Sequence, residues 1–153
     1  MLKFYSNTLG LASRVAHFNQ EVDQRCTFCI LKNLNPANRE SFVHLFFNCP
    51  VTKKCLDTIF RTCFETETPH QEKVFLCNFS DQEEKNIPIQ TVLDIARYLI
   101  WKCKIAKKLP NSTLIIEEIN FLLGAIFKVS PKLRLKFVNC DVFQERDREP
   151  ISP

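Results

Sequence analysis

The sequence predicts a small, mainly helical domain with little or no β-sheet, and three observations favour that fold class. Apolar residues recur every three or four positions in several stretches, which is the spacing of a buried helix face. The chain has only two glycines, Gly10 and Gly124, whereas tight β-hairpins usually need glycine at the turn. Its apolar fraction is 45%, so a chain of this length can bury a core without disulfides.

Helical spacing begins in the N-terminal half. Five apolar residues predict a short helix before the first cysteine: Leu2, Leu9, Leu11, Val15 and Phe18. A second helix is predicted to begin at Asn35, with this side chain as its cap and Pro36 at the first position, where a missing N–H costs nothing. That helix would carry His44 in its last turns and point three apolar side chains inward: Phe42, Leu45 and Phe46.

A longer helix is predicted after Pro50. Apolar doublets recur there every four residues and form one continuous stripe: Cys55-Leu56, Ile59-Phe60 and Cys63-Phe64. The acidic stretch of residues 65–84, which includes Pro69 and has a net charge of −5, is predicted to be a connection.

Further helices are predicted in the C-terminal half. Pro88 can open a helix that ends at Pro110. Its solvated face is predicted to carry Lys104, Lys107 and Lys108. Its apolar positions, three or four residues apart, are Val92, Ile95 or Ala96, Leu99, Cys103 and Ala106. Asn111 or Ser112 can cap the next helix, whose predicted buried side is Leu114, Ile115, Ile119, Leu122, Leu123 and Ile126. Ser130-Pro131 starts a last basic segment, residues 132–137, whose pattern suits either a helix or a strand.

These elements fit a single domain over residues 1–140, followed by a flexible tail at 141–153. Within the domain, a part at about residues 20–64 precedes a helical C-terminal part at about residues 88–138. No stretch reaches the roughly 18 apolar residues of a membrane span, and the start lacks the apolar run of a secretory signal. We therefore expect a nuclear or cytoplasmic protein that is not secreted and does not enter a membrane. Its eight cysteines would be thiols or metal ligands.

Three cysteines and one histidine follow a spacing typical of a metal site, C-x2-C-x14-H-x4-C: Cys26, Cys29, His44 and Cys49. A two-residue spacer lets two thiolates reach one tetrahedral ion, and the extended conformation expected before Pro50 lets Cys49 fold back toward it. Four protein ligands leave no position for water, so the predicted zinc site is structural. The predicted fold is therefore a small helical domain nucleated by a CCHC zinc knuckle.

The remaining cysteines carry weaker signals. Cys55, Cys63 and Cys103 lie on apolar stripes and are predicted to be core thiols. Cys63, His70 and Cys77 have six residues between successive members, which is not a familiar ligand spacing. A second metal site is therefore not predicted.

Two motifs carry a family resemblance: Cys26-Thr-Phe-Cys29 and Glu40-Ser-Phe-Val-His44-Leu-Phe-Phe-Asn-Cys49-Pro50. They resemble the reverse-transcriptase-associated zinc-binding domain in the C-terminal region of non-LTR (LINE-type) retrotransposon polyproteins, whose usual form is C-x2-C, a loop, then E-x3-H-L-[LF]-x-x-C-P. Tyr98-Leu-Ile-Trp101-Lys-Cys-Lys and Ser130-Pro-Lys-Leu-Arg134 are similar to later segments of such polypeptides. One departure is Ile30, which follows Cys29 where many knuckles carry glycine.

The resemblance implies a zinc-stabilised module that binds RNA or DNA, with the remainder of a reverse-transcriptase polyprotein as a further partner. The resemblance does not imply polymerase activity, because the chain has no Tyr-x-Asp-Asp motif. It does not imply nuclease activity either, because a restriction-like nuclease motif is also missing. The zinc-deaminase signature and glycine-rich phosphate loops are missing as well. We therefore expect neither enzymatic activity nor a small-molecule substrate.

Basic residues around the motif and in two C-terminal segments are the predicted phosphate contacts: Lys32, Arg39, Lys53, Lys54, Lys102, Lys104, Lys107, Lys108, Lys132, Arg134 and Lys136. Phe28 and Trp101 are predicted to stack on bases. The alternatives are burial under the zinc loop for Phe28 and a place in the core or a protein interface for Trp101. A zinc-stabilised helical protein–protein interaction module is the alternative function, since a net charge of +4 fits both.

Overall fold

The described part of the chain contains five α-helices and one π-helical turn. The computed structural model describes residues 19, 21, 23–34, 38–64 and 87–138. In chain order its elements are α1 (Thr27–Leu31), the π-helical turn (His44–Asn48), α2 (Pro50–Phe64), α3 (Ile87–Ile105), α4 (Ser112–Val129) and α5 (Pro131–Val138). These ranges contain no strand, only an antiparallel bridge between Arg25 and Arg39. The prediction of a mainly α fold is thereby confirmed.

Several predictions concern residues outside these ranges. They are the helix before the first cysteine, the connection over residues 65–84 and the tail at 141–153. Among the helices that the structure describes, none is long and apolar enough to cross a membrane.

α2 joins the two parts of the fold because its predicted apolar stripe is buried. Its six stripe residues are at most 9% exposed: Cys55, Leu56, Ile59, Phe60, Cys63 and Phe64. The helix contacts α1, the π-helical turn and α4. The N-terminal knuckle and the C-terminal helices therefore share one hydrophobic core.

The segment before His44 is not the helix that Asn35 and Pro36 predicted. Residues 38–41 are not helical, because residues 38–40 pair with residues 24–26: Cys26 N–H donates to Asn38 O and Glu40 N–H donates to Gln24 O, both at 2.8 Å. This pairing of two short extended segments uses the backbone groups that a helix would need. Helical structure begins only at residue 42, where the Ser41 hydroxyl accepts the N–H of His44 at 3.0 Å.

α3 begins as predicted, with Pro88 in its first turn, but it ends at Ile105 rather than at Pro110. Lys107 adopts a left-handed conformation, with φ of 50°. Its N–H donates to Lys104 O, and Lys108 N–H donates to Cys103 O, both at 2.9 Å. These two bonds form a Schellman cap, which ends a helix.

α4 and α5 complete the described fold. Asn111 caps α4 as predicted, since its side-chain oxygen accepts the N–H groups of Thr113 and Leu114 at 3.0 and 3.2 Å. Leu114, predicted to be buried, is instead 62% exposed, because the buried face of α4 runs through Ile115, Ile119 and Leu123. The last basic segment is a helix, not a strand, and α5 contacts both α3 and α4.

Candidate metal centre

Four side chains converge on one point, as their spacing predicted. The ligand atoms of Cys26, Cys29, His44 and Cys49 all lie within 4.8 Å of one another. Cys49 Sγ is 3.9 Å from Cys26 Sγ and 3.8 Å from Cys29 Sγ, and Cys29 Sγ is 3.4 Å from His44 Nε2. The cysteines are free thiols, since a disulfide would bring two sulfurs to about 2.05 Å.

The three shorter separations, from Cys49 to Cys26 and Cys29 and from Cys29 to His44, agree with those around a tetrahedral ion. With bonds of about 2.3 Å to sulfur and about 2.0 Å to nitrogen, such an ion holds two sulfurs roughly 3.8 Å apart and a sulfur roughly 3.5 Å from a nitrogen. All four residues are buried, with His44 the most exposed at 7%. The group could therefore hold a metal ion at a position shielded from solvent.

Helix N-termini position two of the four candidate ligands. Cys26 is the cap residue of α1, and the backbone amide of Cys29 donates toward its sulfur. Cys49 directly precedes α2 and is extended, with ψ of 121°, as expected for a residue before proline. The backbone amides of Val51 and Thr52 donate toward the Cys49 sulfur. Each sulfur thus accepts amide hydrogens that the first turn of a helix leaves without an internal partner.

The turn after Cys29 shows how the knuckle forms without a glycine at position 30. Ile30 stays within α1, and the left-handed residue is Asn33, with φ of 51°. Asn33 N–H donates to Ile30 O and Leu34 N–H donates to Cys29 O, both at 2.9 Å. Asparagine tolerates this conformation better than most side chains. The left-handed turn therefore occurs at Asn33, three residues after position 30, where many knuckles have glycine.

His44 is positioned by the π-helical turn. Cys49 N–H donates to His44 O at 2.6 Å, which closes a ring one residue wider than that of an α-helix. Leu45 and Phe46 of the same turn are buried, and the Phe46 ring lies 5.0 Å from that of Phe42. The extra residue in the turn lets His44 and Cys49 reach the same point while both aromatic rings pack.

The three thiols interact strongly with one another. The pKa of Cys49 is lowered, chiefly because the Cys26 S–H donates a hydrogen bond to its sulfur. The same hydrogen bond, together with burial, raises the pKa of Cys26, while burial and the nearby Cys49 raise the pKa of Cys29. A bound cation would favour ionisation of all three sulfurs.

A buried ion pair ties this centre to α3, and the sequence patterns did not predict it. Glu40 is fully buried, and Lys104 Nζ lies 2.9 Å from its Oε1. The other carboxylate oxygen, Oε2, accepts the backbone N–H and the hydroxyl of Thr27, both at 3.1 Å. The burial of Lys104 could have been predicted from sequence, because helical spacing places it on the same face of α3 as the buried Leu93, Arg97 and Ile100.

The predicted phosphate contacts differ in their exposure. Nine are exposed: Lys32, Arg39, Lys53, Lys54, Lys102, Lys107, Lys108, Lys132 and Arg134. Lys136 is half-buried. Lys104 does not share the solvated face of Lys107 and Lys108, since its side chain is only 11% exposed and pairs with Glu40. Its charge is therefore engaged inside the protein.

The two predicted stacking residues also have different surroundings. Phe28 is fully buried within the core of the knuckle, which is the alternative considered for it, and this conformation offers no ring face to a base. Trp101 is half-buried and packs against the core, with Lys104 Nζ 4.4 Å from its ring centroid. Of the two rings, only Trp101 reaches the surface.

The geometry supports one chemical role for the centre, which is to hold an ion with four protein ligands. No protein-family model, curated protein or solved structure matches the chain. The assignment therefore depends on the centre itself, a buried Cys3His group that could hold a metal ion.

Proposed function

We propose that this chain is a zinc-stabilised nucleic-acid-binding module that acts by binding rather than by catalysis. The observation that carries the zinc assignment is the Cys3His donor set at tetrahedral separations. Thiolate and imidazole ligands suit zinc, whereas calcium and magnesium take oxygen ligands. Four protein ligands leave no open coordination position for a reacting water, which favours a structural ion.

The proposal of nucleic-acid binding is supported by the position of the basic end of α3. Because Lys104 contacts Glu40, the C-terminal end of α3 lies next to the non-helical segment that contains Arg39. The exposed Lys107 and Lys108 follow directly after that contact. Two adjoining segments that are distant in sequence thus each carry exposed positive charge, which would favour phosphate binding.

The resemblance to the zinc-binding domain of LINE-type retrotransposons points to the same ligand class, RNA or DNA. Its matching motif contains Glu40, which this structure places in the contact with Lys104. A partner role for the rest of a reverse-transcriptase polyprotein is a further part of this proposal. The proposed interface comprises the exposed predicted contacts, with Trp101 at its edge.

Fluorescence anisotropy with labelled single-stranded RNA and duplex DNA tests this function over a salt series. We expect the logarithm of the binding constant to fall linearly with the logarithm of salt, by roughly 0.7–0.9 per phosphate contact. Lys102→Ala with Lys108→Ala should weaken binding at low salt and reduce that slope by about two contacts. Arg61→Ala, which removes an exposed base of α2 outside the proposed interface, is the matched control.

If the metal-loaded chain binds neither RNA nor DNA, or binds with no dependence on salt, the proposal is wrong. The zinc-stabilised protein-interaction module would then be the better account of the same fold.

A further inference from the structure

The outer face of α4 consists of seven exposed residues, and two of them are large and apolar. The face comprises Leu114, Glu117, Glu118, Phe121, Gly124, Ala125 and Lys128. Phe121 is 71% exposed and Leu114 is 62% exposed. Two large exposed apolar side chains that share one helix face, rimmed by charged residues, are typical of an interaction surface.

The spacing along this face is that of a helix that pairs with another helix. Leu114, Glu117, Phe121, Gly124 and Lys128 follow one another at alternating intervals of three and four residues. That alternation keeps one seam of side chains facing a partner helix. The opposite side of α4 is already occupied by the core through Ile115, Ile119 and Leu123.

The distribution of charge along the seam selects the orientation and the partner. Glu117 lies in the N-terminal half of the seam and Lys128 lies at its C-terminal end. A second copy running antiparallel would bring Glu117 opposite the partner's Lys128, and the reverse pair would form by symmetry. A parallel copy would instead place like charges opposite each other, which destabilises a helix pair.

In the same antiparallel arrangement, Gly124 leaves space for a side chain of the partner. A Cβ atom at position 124 would contact nothing within 4 Å in the described chain, so the space above this glycine is open. In the antiparallel register that pairs Glu117 with the partner's Lys128, Phe121 lies opposite the partner's Gly124. The exposed ring of each copy would fill the space above the glycine of the other.

We propose that two copies of this chain associate through the outer face of α4 as an antiparallel, two-fold symmetric helix pair. The central contact is Phe121 on the partner's Gly124, flanked by ion pairs between Glu117 and the partner's Lys128. None of the seam residues is a candidate metal ligand or a proposed phosphate contact. The substitutions that test dimerisation therefore differ from those that test the two earlier assignments.

Sedimentation equilibrium of the zinc-loaded full chain, from low to high micromolar concentration, tests the proposal. The wild type is expected to be a dimer. Phe121→Glu and Gly124→Leu should each raise the dimer dissociation constant at least tenfold. Helical circular dichroism and zinc content should stay unchanged, since both positions face outward. Leu135→Glu, an exposed apolar position on α5, is the matched control and should remain dimeric.

Charge exchange tests the register itself. Glu117→Lys and Lys128→Glu should each weaken the dimer, because each creates like charges across the seam. The two substitutions combined should restore association to within about threefold of the wild type. A monomeric wild type at high micromolar concentration would overturn the proposal. So would a Phe121→Glu variant that dimerises normally, or a double variant that is no tighter than the singles.

Discussion

Lys104 Nζ lies 2.9 Å from Glu40 Oε1, which joins the last turn of α3 to the loop between the second and third candidate metal ligands. Glu40 is fully buried, and a buried carboxylate is tolerated only when its charge is paired. Thr27, next to Cys26, donates both its N–H and its hydroxyl to the same carboxylate. The knuckle and α3 therefore depend on each other for stability, although they are far apart in sequence.

Lys104→Met is predicted to lower the free energy of unfolding by about 3 kcal/mol, because it leaves the Glu40 charge buried without its cation. Thermal unfolding of the zinc-loaded chain measures the change. Lys102→Met, at an exposed position of the same helix, should alter stability by no more than about 0.5 kcal/mol. Adding Glu40→Gln to Lys104→Met should recover much of the loss. Equal effects of Lys104→Met and Lys102→Met would contradict the paired arrangement.

The four candidate ligands could be predicted from sequence because metal coordination constrains local spacing. Cys26 and Cys29 share one turn, and Pro50 fixes the extended conformation of Cys49. The stripe of α2 was equally predictable, since periodicity reports a buried face directly. The Asn111 cap followed from residue type alone.

Other features depend on contacts that local sequence does not encode. The pairing of Gln24 with Glu40 and of Cys26 with Asn38 replaced the helix that Asn35 and Pro36 suggested. A left-handed lysine, Lys107, caps the end of α3, at a position where glycine would be the usual sequence signal. The Glu40–Lys104 pair depends on how α3 packs, so periodicity could place Lys104 on a buried face but could not identify its partner.

Lys107→Gly is predicted to stabilise the fold by about 0.5–1 kcal/mol. A left-handed conformation is strained for a lysine and nearly free of strain for glycine, and part of the gain is offset by the greater freedom of glycine in the unfolded chain. Chemical denaturation followed by circular dichroism measures the difference. Lys108→Gly, one residue later and without the left-handed φ, should be neutral or destabilising. If Lys108→Gly is the more stabilising of the two, the cap is assigned incorrectly.

Asn111→Ala is predicted to destabilise the chain by about 1 kcal/mol, because two N–H groups of α4 lose their acceptor. Asn111→Ser should retain most of the stability, since serine also caps helices well. Ser112→Ala, at the first position of α4, serves as the control and should have little effect. Denaturant midpoints of the four proteins, measured at equal slope, decide the result.

Cys55 is predicted to resist alkylation in the folded chain. Burial raises the pKa of its thiol from 9.0 to about 12, so at pH 8 the folded protein holds about a thousandth of the thiolate present in the unfolded chain. A short pulse of iodoacetamide followed by peptide mass spectrometry should label the half-buried Cys103 before Cys55. Labelling of Cys55 at the rate seen in denaturant would contradict its place in the core.

The same shift predicts a dependence of stability on pH. The unfolded Cys55 thiol ionises near pH 9 and the folded one near pH 12, so the unfolded state loses its proton first as the pH rises. The contribution of Cys55 to stability is complete below pH 9 and declines through that window. Cys55→Ala should make the alkaline decline measurably shallower in denaturation experiments between pH 8 and 11.

The central claim is that Cys26, Cys29, His44 and Cys49 bind one zinc ion, and zinc content measured by native mass spectrometry under reducing conditions tests it most directly. We predict one zinc per chain in the wild type and in His70→Ala, and loss of both zinc and cooperative unfolding in His44→Ala. Cobalt substitution of the wild type should give the intense visible absorption of a tetrahedral thiolate site. A wild-type chain that is folded, metal-free and unaffected by chelator would contradict the account.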